Sequence, residues 1–112
     1  MGLKEYKFGF ESENIAVKFL KSHGYEILER NFHSRFGEID IIAKKDEILH
    51  FIEVKATSKN YETAYRITSY KFSKILKTIK FYITKKQNET DFQVDFIGIN
   101  KEKISFIENI SL

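Results

Sequence analysis

"GEIDIIAKKDEILHFIEVK", residues 37–55, reads as two β-strands joined by a polar turn. Ile39, Ile41, Ile42, Ile48, Phe51, Ile52 and Val54 give it strand character. Asp40 and Glu53 interrupt that apolar pattern, and a carboxylate among such neighbours is costly to keep ionised. A connection centred on Lys45-Asp46 pairs Ala43 with Ile48, Asp40 with Phe51, and Glu38 with Glu53. Directly opposite residues share a sheet face, so Asp40, Glu53 and Lys55 then point to one side. Asp40 and Glu53 become diagonal neighbours, about 7–8 Å apart. A slip of one residue would turn one strand's side chains to the other face. The opposite face carries Ile39, Ile41, Ala43, Ile48, His50, Ile52 and Val54, while Ile42, Leu49 and Phe51 accompany the acids. With both faces apolar, helices are expected on both sides of the sheet.

Two helices are legible on either side of this hairpin. Residues 10–24, "FESENIAVKFLKSHG", place Ala16, Val17 and Leu20 on one stripe, and Gly24 supplies a stop. Glu13 falls on that inward stripe, a third acid among apolar residues, where it meets the hairpin's acids or serves as a helix N-terminal acid favoured by the dipole. Residues 71–86, "KFSKILKTIKFYITKK", align Phe72, Ile75, Leu76, Ile79, Tyr82 and Ile83, with lysines over most of the other half. That lysine face is either a solvated surface or a phosphate track. Strands are expected at 25–32, 92–99 and 103–110, and residues 57–70 read as a polar, Tyr-rich loop. The order α-β-β-β-α-β-β defines an α/β domain with a central mixed β-sheet flanked by helices, one domain over 1–112.

Composition narrows the classes. With 42% hydrophobic and 15% aromatic residues the chain can fill a core. The absence of cysteine excludes a disulfide framework and a thiolate metal site. No apolar run approaches the roughly 20 residues of a membrane span, and the N-terminus has no signal-peptide core, so a soluble, cytoplasmic protein is expected. A net charge of +3 is too mild to identify a nucleic-acid partner.

Carboxylates that converge from two strands and a helix suit a hard cation. Oxygen ligands of this kind select Mg²⁺ or Mn²⁺. Such an ion polarises a phosphate oxygen and lowers the pKa of a bound water, and a lysine beside it stabilises transition-state charge. Glu13, Asp40, Glu53 and Lys55 are therefore the candidate catalytic residues for phosphodiester hydrolysis.

The segments "GEID" and "FIEVK" resemble the PD-(D/E)XK nuclease signature, with Ile39-Asp40 in place of Pro-Asp and Glu53-Val54-Lys55 as E-X-K. The likeness is closer to the YraN-type bacterial family of predicted endonucleases and covers nearly the whole chain. Glu13-Asn14-Ile15-Ala16, "HGYEILERNF", "GEIDIIA", "FIEVK", Lys71 and Asp95 stand at matching positions. The resemblance implies a restriction-endonuclease-like fold akin to archaeal Holliday-junction resolvases. It implies Asp40, Glu53, Val54 (by its carbonyl) and Glu13 as metal ligands, DNA as substrate, branched DNA included, and a homodimer. Thr57 and Gln93 depart from basic residues of the family pattern, and Lys59 or Arg66 could replace those phosphate contacts. Arg35 and Lys71 are further candidates for nucleic-acid contact, Arg35 being alternatively part of a plain basic turn. His50 is expected to be packed, Asp95 to support the site in preference to a hydrogen bond within the core, and Tyr61, Tyr65 and Tyr70 either to stack on unpaired bases or to pack on the surface. Two rival readings are a nucleic-acid-binding module that does not cleave and an interaction domain whose acids form a buried ion-pair network.

Overall fold

The computed structural model describes residues 3–56, 69–86, 90–101 and 103–110, with side chains from residue 11 onward. Helix α1 (Leu3–Ser22) is followed by β1 (Glu26–Ser34), β2 (Gly37–Lys45), β3 (Ile48–Ala56), helix α2 (Ser69–Lys86), β4 (Phe92–Asn100) and β5 (Lys103–Ile107). The strands form one sheet in the order β1-β2-β3-β4-β5. Only β3 and β4 are parallel, joined through α2, and the other neighbours are antiparallel. The expected order and the mixed sheet are what the structure shows. Among the described residues, no helix is long and apolar enough to cross a membrane.

The helices cover opposite faces. Under α1 lie Ala16, Val17, Leu20, Ile41, Ala43, Ile52, Ile97 and Ile99. Under α2 lie Ile39, Ile42, Leu49, Phe51, Ile75, Ile79, Tyr82, Val94 and Phe96. Ile39 and Ile41, two residues apart, therefore enter different cores. This corrects the expectation that they share a face: strand alternation breaks at Asp40 between them. The neighbouring strand breaks in step. Arg30 pairs with Ile41 and Phe32 with Ile39, yet Arg30 reaches α1 while Phe32 packs on Tyr82 of α2. Asn31, between them, has φ +52°, the left-handed conformation that Asn tolerates better than most residues.

Several boundaries differ from the sequence reading, three of them with consequences for the fold. Helix α1 begins seven residues earlier than expected, at Leu3 rather than Phe10; Gly9, unfavourable in a helix interior by about 1 kcal/mol, obscured the periodicity. Strand β5 ends at Ile107, and Asn109, with φ +55°, turns the chain so that Ile110 N–H donates to the Val94 carbonyl. The hairpin turn is centred on Asp46-Glu47, both with positive φ, as a type I′ turn requires. Ala43 consequently pairs with His50, not Ile48. The slip is of two residues, an even number, so within the ladder, Ile41–Lys45 against Ile48–Ile52, the side chains keep their faces.

The end of α1 is fixed by a Schellman motif. Tyr25 N–H donates to Leu20 O at 3.0 Å and Gly24 N–H to Lys21 O at 3.2 Å, with Gly24 at φ +87°. Tyr25 and Leu20 then bury together in the α1-side core. A Cβ on Gly24 would meet only the Lys45 side-chain carbon Cε at 3.8 Å, so its cost is conformational rather than steric. Gly24→Ala is expected to lower the unfolding free energy by about 1–2 kcal/mol, and Gly24→Asn by less, as read by urea denaturation.

Candidate functional site

The β2–β3 ladder runs from Lys45–Ile48 to Ile41–Ile52. Continued one step, that register would set Asp40 across from Glu53, but the ladder stops before them. Here the Asp40 side chain enters the space between the strands, and its Oδ2 accepts the Val54 N–H at 2.8 Å. Val54 thus contributes its N–H to the corner. Glu53 lies on the α2 side with its side chain only 13% exposed, and Lys71 Nζ of α2 stands 3.9 Å from its Oε2. Its other oxygen, Oε1, is buried with no hydrogen-bond partner among the described residues.

Burial is the main force acting on both acids. It raises the Glu53 pKa to about 8, with a further push from Asp40 that Lys71 and the Asp40 backbone N–H oppose. Burial also raises the Asp40 pKa; the Val54 N–H opposes it, while Glu13 and Glu38 add to it and Lys71 subtracts. Asp40 is therefore felt from both helices, by Glu13 of α1 and Lys71 of α2.

Glu13 is buried near this corner but is held by β1. Its Oε1 accepts from Arg30 Nε at 2.9 Å and from Asn31 Nδ2 at 3.1 Å. Arg30 also reaches Asn14 Oδ1, at 2.6 Å. Among the described residues no three acidic or histidine side chains come together as a preformed metal cluster. Asp40 and Glu53 form the pair, and Glu13 stands beside them. The sequence reading assigned no role to Arg30 and Asn31, although an Arg-Asn pair inside an expected strand is itself irregular.

The basic candidates separate. Lys71 sits against Glu53. Lys55 is exposed, two residues beyond Glu53 on β3. Arg35 is exposed in the β1–β2 turn, its guanidinium 4.9 Å from the Phe36 ring centre. Lys59 and Arg66, with Tyr61 and Tyr65, lie outside the described residues. His50 is packed as expected, its Nδ1 2.6 Å from Asp95 Oδ2. For Asp95 the structure shows the less favoured of its two readings, hydrogen bonding within the core. Its Oδ1 accepts from Gln93 Nε2 and from the Asn109 N–H, both at 2.8 Å. It is fully buried on the α1 side of the sheet, across from Ile52, so it ties the C-terminal segment to the core rather than supporting the acids.

Comparison with known proteins identifies relatives of this chain. The model of the uncharacterised protein family UPF0102 matches residues 12–99, which include Glu13, Asp40, Glu53 and Lys71. A UPF0102 protein of Campylobacter fetus is 61% identical over 111 residues, 99% of each chain. UPF0102 proteins of Campylobacter lari and Campylobacter concisus are 56% and 58% identical, over 99% and 100% of each chain.

The raised pKa values fix the sign of a pH dependence. Between about 4.5 and about 8 the folded protein keeps a proton on Glu53 that the unfolded chain has lost. The Glu53 contribution is complete below the lower value, declines through the window and is gone above it. Asp40 acts in the same direction. In metal-free buffer the unfolding free energy is expected to fall with rising pH across this range, by up to about 1.4 kcal/mol per pH unit for one proton. Glu53→Gln should flatten that slope in denaturation curves at pH 5 and pH 8.

Proposed function

The chain belongs to the uncharacterised protein family UPF0102, a YraN-type family of the PD-(D/E)XK-like superfamily, and from that premise we propose a metal-dependent endonuclease that hydrolyses DNA phosphodiester bonds. The observation that carries the proposal is Glu53 Oε1, buried near Asp40 without a hydrogen-bond partner among the described residues. A buried polar atom normally finds a partner, and an unpaired one costs about 1–3 kcal/mol. A divalent cation between Glu53 and Asp40 would supply that partner and relieve the repulsion between the acids. The donor set is oxygen-only, which fits Mg²⁺ or Mn²⁺, with the Val54 carbonyl as the proposed third ligand and Glu13 supporting the shell.

Bound there, the ion would polarise a phosphate oxygen and acidify a water. Asp40 stays oriented through the Val54 N–H. Lys71, already facing Glu53, is placed to draw a phosphate toward the corner, and Lys55 is the proposed partner of the attacking water. Attack of that water on phosphorus forms a P–O bond and breaks the bond to one sugar oxygen. The departing oxygen gains a proton.

One observation favours a second reading, a nucleic-acid-binding module that does not cleave: Glu13 is held by Arg30 and Asn31 rather than presented to the other acids. A cleavage screen with Mn²⁺ over single-stranded, duplex, flapped and four-way DNA separates the two. Cutting that falls about a hundredfold or more in Glu53→Gln and in Asp40→Asn is the expected result. Binding without cutting supports the module, and activity that survives both substitutions removes the metal site. Mn²⁺ at pH 8 should also raise the melting temperature of the unaltered protein and leave that of Glu53→Gln nearly unchanged.

A further inference from the structure

Helix α2 carries six lysines and no acidic residue between Ser69 and Lys86. Lys71 faces Glu53, and Lys86 faces Glu29 at 3.6 Å. Lys77, Lys80 and Lys85 make no ion pair among the described residues. Exposed aromatic rings lie between these lysines. Tyr70 is 71% exposed with Lys74 Nζ 4.6 Å from its ring centre, and Phe81 is 39% exposed. At about 100° per residue, Tyr70, Lys74, Lys77 and Phe81 follow one face of the helix, at i, i+4, i+7 and i+11.

A separate element completes this face. Phe36, from the β1–β2 turn, joins Lys77, Lys80, Phe81, Thr84 and Lys85 around an open cavity of about 350 Å³. The turn is held against α2: Ser34 Oγ lies 3.2 Å from Thr78 Oγ1 and accepts the Phe36 N–H at 3.0 Å. The cavity is thus an aromatic recess under a rim of lysines, with Arg35 beside it. Lysines every third residue, Lys71, Lys74, Lys77 and Lys80, wind back toward the acidic corner by about 60° per step. Phe81 lies about 15 Å along the axis from Lys71.

We propose that this face of α2, with Phe36, is a binding track for an unpaired DNA strand, and that the recess between Phe36 and Phe81 receives one of its bases. Positive charge alone would suit any polyanion. The aromatic recess adds a preference for a flat ring, which duplex DNA keeps stacked inside its helix. The track leads to Lys71, so as a statement about substrate it rests on the nuclease reading and narrows it to DNA with an unpaired segment beside the cut. The binding itself does not depend on cleavage.

The test is fluorescence anisotropy with a labelled 12-nucleotide single strand and a 12-base-pair duplex, in EDTA so that nothing is cut. The single strand is expected to bind more tightly. Phe81→Ala should weaken it about five- to tenfold, the low end of base–aromatic stacking, while changing duplex binding less than twofold. Phe81→Tyr should restore binding, which a loss of fold would not allow. Lys77→Gln combined with Lys80→Gln should weaken both probes and reduce the single-strand salt slope by about 1.4. Unchanged single-strand affinity in Phe81→Ala, or an equal loss on the duplex, overturns the proposal. So does a dimer that Phe81→Ala converts to monomer in sedimentation with DNA affinity intact, because the face is then a contact between two copies. Failure of cleavage with these binding results intact removes only the nuclease reading.

Discussion

The hydrogen bond from the Val54 N–H to Asp40 Oδ2 marks where the sheet stops pairing with itself and the site begins. Up to Ile41–Ile52 the two strands pair through their backbones. Past that point a side chain satisfies the Val54 donor, so the strand ends are held together without closing the space between them. A buried N–H requires a partner, and by filling that need the Asp40 carboxylate is fixed beside Glu53. The fold's own hydrogen-bond requirement thus positions the acid.

The same residue divides the core. With the alternation broken at Asp40, Ile39 enters the α2 side and Ile41 the α1 side, both fully buried. β1 follows the break through Asn31, which sends Arg30 toward α1 and Phe32 toward α2. Asn31 also donates to Glu13. One irregularity shared by two strands therefore anchors both helices and gathers the acids at their seam. A regular strand here would place Ile39 and Ile41 against one helix and leave the other core without one of them.

Much of this was legible because it depends on period and parity. The lysine and apolar stripes fixed both helices, and the hairpin's alternation put Glu53 and Lys55 on one face. The misplaced turn did no damage to that face, since a slip of two residues conserves parity. What was not legible depends on single residues in rare conformations or on distant partners. Glu47 gives no signal for a positive φ, so the turn centre was misread. The break at Asp40 leaves no trace in a hydrophobic pattern, because an isoleucine on either side suits either core. Lys71 was read as a phosphate contact, and its position against Glu53 comes from the docking of α2, which no local pattern encodes. Asp95, at a position shared with the resembled family, is favoured from sequence as a support of the site over a core hydrogen bond; the core partners, His50 and Asn109, come from other parts of the chain that no local pattern brings together.

Asp95 supplies the comparison that gives the state of Glu53 its meaning. Both are acids on adjacent parallel strands, and Asp95 is the more deeply buried. Its oxygens meet His50, Gln93 and the Asn109 N–H. This small sheet can therefore satisfy a buried carboxylate fully with neutral donors and a histidine. At Glu53 it does not: among the described residues Oε1 has no hydrogen-bond partner, Lys71 stands 3.9 Å from the other oxygen, and Asp40 raises the cost of ionisation further. Apolar packing alone would favour replacing such a group by a hydrophobic one. Of these two acids, Glu53 is therefore the one that this otherwise well-satisfied sheet leaves incompletely satisfied, and it is on that contrast with Asp95 that the proposed cation site rests.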